Sequence, residues 1–203
     1  MNKEYTISFL LEMAKIGGLL ANDPTQVEQI NLMIEIVLEC KANNGHLYFA
    51  GVGGGAGSGS HAANDFNKIA GVSTFCLSDN PSLLTALWND EGADSIFIRQ
   101  MAMHHFGPND VLFVFSVNGG KPNLSSSLVT ATDYAHQQGG KVIAVLGRAD
   151  GHVGQNADAA CIIPALHESR VTPHSESWQL VINHLMVNAI ANEGRFEPAN
   201  KEV

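Results

Sequence analysis

The stretch HLYFAGVGGGAGSGSHAANDF, residues 46–66, decides how the rest of the chain is read. Its first part, HLYFAGV, is a short continuous apolar run, the pattern of a strand buried on both faces. The next ten positions, Gly51 to Ser60, hold six glycines, which let a backbone approach a ligand closely and adopt positive φ. The run is no Walker loop, because no Gly-Lys-Ser/Thr follows it. Read from Gly51 it also misses GxGxxG, since the sixth position is Ala56. A plain flexible turn is the alternative to a ligand loop. Beyond it a helix is expected over 60–70, carrying His61 and Asp65 four residues apart on one face.

The same strand-then-helix rhythm continues toward the C-terminus. STFCLS, VLFVFSV, KVIAVLG and the weaker AACIIP read as four further strands. Helices are expected between them over 60–70, 83–88, 94–105 and 125–138. Continuous apolar strands alternating with helices predict an α/β protein: a mostly parallel five-stranded sheet with helices on both faces, three layers in all. Toward the N-terminus, two helical patterns are separated by Asn22-Asp23-Pro24-Thr25, where Asp23 or Thr25 can cap and Pro24 suits a helix start. In the second of these helices Val27, Ile30, Met33, Ile34, Val37 and Leu38 form one stripe, with Ile36 off it. The expected organisation is one domain over 1–203. It comprises N-terminal helices over 1–45, a sheet core over 46–165, a closing helix over 175–192 and a loosely ordered tail over 193–203.

A net charge of −9 with eleven scattered basic residues argues against a nucleic-acid partner, whose affinity needs clustered Lys and Arg. No apolar run is long enough to span a bilayer and the opening is not of secretory type, so no membrane partner is expected. Cys40, Cys76 and Cys161 are odd in number and far apart, which reads as reduced core thiols of a cytoplasmic protein. A small phosphate remains compatible with the acidic balance, because backbone N–H groups and hydroxyls hold one without net positive charge.

Ligands of such a sheet bind beyond the carboxyl ends of its strands. Two loops are expected there: the glycine run, with Gly53 and Gly54, and the segment Ser116 to Ser127, with Asn118. Ser125 is placed to cap the helix that follows, and Ser116, Ser125 and Ser126 add hydroxyl donors for an anion. Groups able to move protons lie at His61 and Asp65 and, on the closing helix, at Glu176 and His184. These four suit a zinc set or acid–base work, and the His61–Asp65 spacing equally suits an ordinary surface pair. Glu176 and His184 are eight residues apart, a rise of about 12 Å, so one straight helix does not aim both at one atom. His104, His105 and His174 lack a carboxylate at useful spacing.

With these residues in hand, the order Gly/Ser loop–SHAANDF, SDNPSLLTALWNDEG, VFSVNGG…SSSLV, KVIAVLGRADG and HSESWQLVINH resembles the phosphoheptose isomerases. These are sugar isomerase (SIS) domains acting on sedoheptulose 7-phosphate, and the resemblance covers nearly the whole chain. It implies a SIS fold and a homotetramer with sites built across subunits. It also implies a zinc site, one metal per active site, at His61, Asp65, Glu176 and His184, with Asp65 and His184 as the acid–base pair. Sugar-phosphate contacts are implied at Ser116, Ser125, Asn89 and Asp90. The activity it implies is conversion of sedoheptulose 7-phosphate to D-glycero-D-manno-heptose 7-phosphate through an enediol. The alternative is a non-catalytic SIS protein, a sugar-phosphate sensor or a protein-binding scaffold.

The chain departs from the family pattern at several of these positions. Asp65 stands for Glu, Glu176 for Gln, Val52 and Gly55 for Asn and Ser, and Val117 for a hydroxyl residue. The segment Gly119 to Asn123 is longer than the family loop. The acid–base set is thus kept in kind, while the phosphate cradle is altered.

Overall fold

The computed structural model describes residues 2–192; the expected loose tail over 193–203 lies outside the described residues. Fifteen elements follow in order, with two short irregular turns among them. The helices are α1 (Lys3–Ala21), α2 (Pro24–Ala42), α3 (Gly54–Asp65), α4 (Pro81–Glu91), α5 (Ser95–Met103), α6 (Ser126–Gln137), α7 (His152–Asn156) and α8 (Val171–Ala191). The strands are β1 (Leu47–Gly51), β2 (Thr74–Cys76), β3 (Val111–Ser116), β4 (Lys141–Leu146) and β5 (Ala159–Ile162). A π-helical turn, Phe66–Ala70, prolongs α3, and a 3₁₀ turn, Glu168–Arg170, precedes α8.

Local chemistry accounts for the helix starts. The Asp23 side chain accepts from the N–H groups of Thr25 (2.9 Å) and Gln26 (3.2 Å), with Pro24 in the first helical position of α2. Asn80 does the same for α4 through the Leu83 N–H, again followed by a proline, so α4 begins two residues before the expected 83. The buried face of α2 is Ile30, Met33, Ile36, Val37 and Cys40. Ile36 therefore belongs to the core, whereas Val27 and Leu38 are exposed. The stripe is turned from the expected one because α2 packs against both β5 and α8, a wider contact than one ridge serves.

The sheet is parallel at every pairing, in the order β2-β1-β3-β4-β5. Alternate residues of each strand feed two cores. Leu47, Phe49, Phe113, Phe115, Ile143 and Val145 meet α1, α2, α3 and α8 on one face. Tyr48, Ala50, Leu112, Val114, Val142 and Ala144 meet α4, α5, α6 and α7 on the other. Burial on both sides is what makes the strands read as unbroken apolar runs. The three cysteines carry no disulfide, and burial pushes each thiol up to about 12.

The chain leaves β1 toward β2 on one side and β3 toward β4 on the other. The order therefore reverses between β1 and β3, and the crevice at their carboxyl ends is where such sheets take ligands. The loops after β1 and β3 are the two glycine- and serine-rich segments.

Candidate active site

The glycine run is mostly helix rather than loop, which corrects the expectation of a Gly51–Ser60 loop and a helix from 60. Only Val52 and Gly53 turn, Gly53 at φ 62°, and α3 begins at Gly54. The glycines serve close packing. A Cβ on Gly55 would fall well inside 3.0 Å of the Phe115 carbonyl oxygen on β3, and one on Gly51 would strike the Gly55 backbone. This accounts for glycine at 55, where the family pattern has a serine.

Helices α3 and α8 lie side by side and run the same way. A Cβ on Gly54 would stand 2.5 Å from the Glu176 carboxylate oxygens. One turn further on, Ser58 Oγ donates to Gln179 Oε1 at 3.1 Å, and both residues are buried. Beyond that, Asn183 Nδ2 donates to Asp65 Oδ2 at 3.3 Å, and His184 meets His61. This register separates the two functional residues of α8: Glu176 sits at the start of α3 and His184 at its far end.

At that far end three groups converge. His61 Nε2 lies 3.0 Å from Asp65 Oδ2 and 3.0 Å from His184 Nε2, and His184 Nε2 lies 3.4 Å from Asp65 Oδ2. The two imidazole nitrogens are thus within hydrogen-bond reach of each other, with donor and acceptor set by the tautomer. Asp65 is the anchor: its side chain is 10% exposed, whereas those of His61 and His184 are 46% and 53% exposed. Asn64 Nδ2 donates to its other oxygen at 3.1 Å. The donor spacings match the roughly 3.3 Å between ligand atoms of tetrahedral zinc. The trio therefore fits that metal, with a coordination position to spare. Within one chain Glu176 does not join the trio, as its eight-residue spacing foretold.

The crevice beside the switch point is a pocket of about 450 Å³. Gly51, Val52 and Gly53 line it on the β1 side, and Leu124, Ser125, Ser126 and Ser127 on the β3 side. Ser125 does not cap α6: its backbone is left-handed (φ 60°) and its side chain makes no capping bond. The cause is a tight turn in which Lys121 and Leu124 exchange both backbone hydrogen bonds (2.8 and 2.9 Å), so Ser125 must reverse the chain. Its hydroxyl is left on the pocket wall beside the N–H end of α6.

Of the remaining expected contacts, Ser116 is buried under the loop, its hydroxyl accepting from the Gly119 N–H at 3.0 Å. Asn118 does not line the pocket, nor does Gly54, which lies beside the Glu176 carboxylate. Asn89 and Asp90 bond to each other at 2.8 Å on the exposed side of α4, where the neighbouring Trp88 faces the pocket instead. Residues that sequence patterns did not mark are Leu84, Trp88, Ser127, Gln179 and Asn183. They lie within the stretches that carry the resemblance, but no spacing or residue type singled them out, and packing gives them their places. His174 is a further difference: it is buried with its Nε2 3.4 Å from Glu12 Oε2 on α1, a carboxylate remote in sequence. A hydrogen bond from Arg170 holds that carboxyl below the usual range.

The family model described as SIS domain matches residues 14–147. Phosphoheptose isomerase of Rhodospirillum rubrum is 30% identical over 151 residues, 72% of this chain and 76% of that protein. The chain belongs to the phosphoheptose isomerase family of SIS domains. The SIS domain is also similar to the lincomycin biosynthesis protein LmbN of Streptomyces lincolnensis, 35% identical over 149 residues. That match covers 70% of this chain and 54% of LmbN. Among solved structures, phosphoheptose isomerase GmhA from Neisseria gonorrhoeae superposes with a TM-score of 0.80 at 25% identity, covering 93% of this chain and 98% of that one.

The trio does not line the pocket of its own chain. Gly53, just before α3, and Ala56 in its first turn line the pocket, and His61 stands five residues beyond Ala56, roughly 7.5 Å along the axis. Among the described residues no helix is long and apolar enough to cross a membrane.

Proposed function

We propose that this chain interconverts the ketose and aldose forms of a sugar phosphate, and that its substrate is sedoheptulose 7-phosphate, giving D-glycero-D-manno-heptose 7-phosphate. The observation that carries this is the convergence of His61, Asp65 and His184 from two helices onto one point, an acid–base cluster that a binding scaffold does not need. The phosphate is read at the start of α6, where free N–H groups, the helix dipole and the hydroxyls of Ser125 to Ser127 favour an anion.

The exposed His184 is the member able to reach a substrate carbon. It removes the proton from the carbon next to the carbonyl, leaving an enediol. The proton then returns to the former carbonyl carbon as protons move between the two oxygens. Asp65 offsets the charge of the imidazolium that forms, and Asn183 and Asn64 hold the carboxylate in place. His61, Asp65 and His184 would hold zinc, one per site, and when bound the metal would supply a positive charge that polarises the carbonyl; the Nε2 of His184 acts as base only while it is off the metal.

Pocket and trio are separate on one chain, and both exposed histidines face outward. A homotetramer in which one subunit's trio completes another's pocket brings them together, and it also brings Glu176 of one subunit within reach of a second subunit's site. The buried thiols suit a reducing compartment, and the reading places the enzyme in the cytoplasm.

The test is conversion of sedoheptulose 7-phosphate followed by NMR, with and without zinc. Wild-type protein is expected to turn over, and His184→Ala to fall by orders of magnitude, about 100-fold or more. Wild-type protein that leaves sedoheptulose 7-phosphate and related ketose phosphates unchanged in both conditions overturns the proposal.

A further inference from the structure

Three large apolar residues at least half exposed stand on the rim of the pocket: Val52 (52%), Trp88 (58%) and Leu124 (50%). They come from three separate segments: the β1–α3 turn, α4 and the Lys121–Leu124 turn. Leu84, Ile96 and Phe97 extend the same wall inward. No charged side chain lines this pocket among the described residues, and its side-chain polar groups are four serines and the indole N–H of Trp88. Ser78 already directs its hydroxyl at the Gly51 carbonyl (3.4 Å), and the other three stand together at the start of α6.

The pocket is therefore polarised. One end offers hydroxyls and helix N–H groups, and the facing wall offers carbon. A fully hydroxylated sugar chain anchored by its phosphate at the polar end would press hydroxyls against Val52 and Leu124, where each loses water and, beyond reach of the Trp88 N–H and of a second subunit's trio, gains no partner. A carbon bearing hydrogen in place of hydroxyl has no such loss and covers apolar surface that is otherwise wet.

We infer that the pocket selects a deoxy sugar phosphate, one lacking a hydroxyl on the part of the ligand that faces Val52, Trp88 and Leu124, and that Val52 and Leu124 determine this selectivity. The inference rests on the proposed sugar-phosphate reading for the position of the phosphate and refines it: sedoheptulose 7-phosphate is turned over, and a deoxy sugar phosphate binds the same site more tightly. The Lys121–Leu124 turn is the device that supplies Leu124. It is closed by its own two backbone hydrogen bonds and braced by Lys121 Nζ on Asp150 at 2.8 Å, so Leu124 is held over the pocket.

Calorimetric titration of the full chain with fructose 6-phosphate and with its 1-, 3- and 4-deoxy analogues tests this. At least one analogue is expected to bind about 10- to 100-fold more tightly than the parent, the range by which an apolar pocket discriminates against an added hydroxyl. In the double variant Val52→Asn, Leu124→Ser the preference should shrink to less than about threefold. A parent sugar that binds as tightly as every analogue overturns the inference while leaving the isomerase reading intact. A preference that survives unchanged in the double variant overturns the assignment to these residues. Binding of none of the four probes overturns the inference, and the sugar-phosphate reading beneath it falls with it only if sedoheptulose 7-phosphate is not bound either. Sedimentation of the same proteins guards against one confusion. If the double variant dissociates the assembly and keeps the preference, the rim is a subunit contact and the inference fails.

Discussion

Two glycines of α3, two residues apart, should respond oppositely to the same added methyl group. At Gly55 a Cβ would lie well inside 3.0 Å of the Phe115 carbonyl oxygen, whereas ordinary carbon–oxygen contacts begin at about 3.3 Å. Neither side can give cheaply. Phe115 sits on β3, hydrogen-bonded to β1 and β4, and α3 is fixed along its length by β1 and α8. Forcing the helix off the sheet costs about 1–3 kcal/mol, against which alanine recovers about 0.5–1 kcal/mol of helix propensity. Gly55→Ala should therefore lose about 1–2 kcal/mol. At Gly57, also within α3, a Cβ meets nothing within 4 Å, and only the propensity gain remains. Gly57→Ala should gain about 0.5–1 kcal/mol. For a chain of this size each kcal/mol moves the midpoint by about 2–4 °C. Urea titration and thermal melts of the two variants beside wild type measure both signs. Equal effects at the two positions, or a neutral Gly55→Ala, would refute the account of why this helix is glycine-rich.

Further outcomes follow from other buried polar groups. Burial alone would raise the carboxyl of Asp158, but hydrogen bonds from Lys141, the Val142 N–H and His136 outweigh it and hold the group below its ordinary 3.8. A lowered folded-state value stabilises above the unfolded value and is lost as pH falls through the folded one. Asp158→Asn should thus cost about 1 kcal/mol at pH 7 and almost nothing near pH 2, read from urea midpoints at the two pH values. Asn183 is wholly buried and gives one bond to Asp65, while its Oδ1 finds no partner among the described residues. Asn183→Leu relieves that unpaired oxygen, so stability should change by less than about 1 kcal/mol while zinc affinity falls about 10-fold, measured by chelator competition. Unchanged zinc affinity would remove Asn183 from its positioning role.

Much of the architecture is legible in the chain itself. Unbroken apolar runs such as VLFVFSV and KVIAVLG can be buried on both faces only in a covered parallel sheet, and Asp23-Pro24 starts α2 where the residues say it should. His61 and Asp65 share a helix face by spacing alone, and the eight residues from Glu176 to His184 already imply two separate stations along α8. What spacing within one element does not contain is the match between elements. That α3 and α8 run parallel and in register, so that His184 reaches His61 and Asn183 reaches Asp65, follows from how two helices pack on one sheet face. The same holds for the pocket. Trp88 on α4 and Leu124 after β3 stand far apart in the chain and no spacing singles them out, and only the reversal of strand order between β1 and β3 brings them to one crevice. Even the glycine run illustrates the division. Its composition announces close approach, but whether that approach is to a ligand or to the Phe115 carbonyl depends on a strand some sixty residues away. Local propensity and periodicity act over a few residues, and the site is made by contacts that packing alone selects.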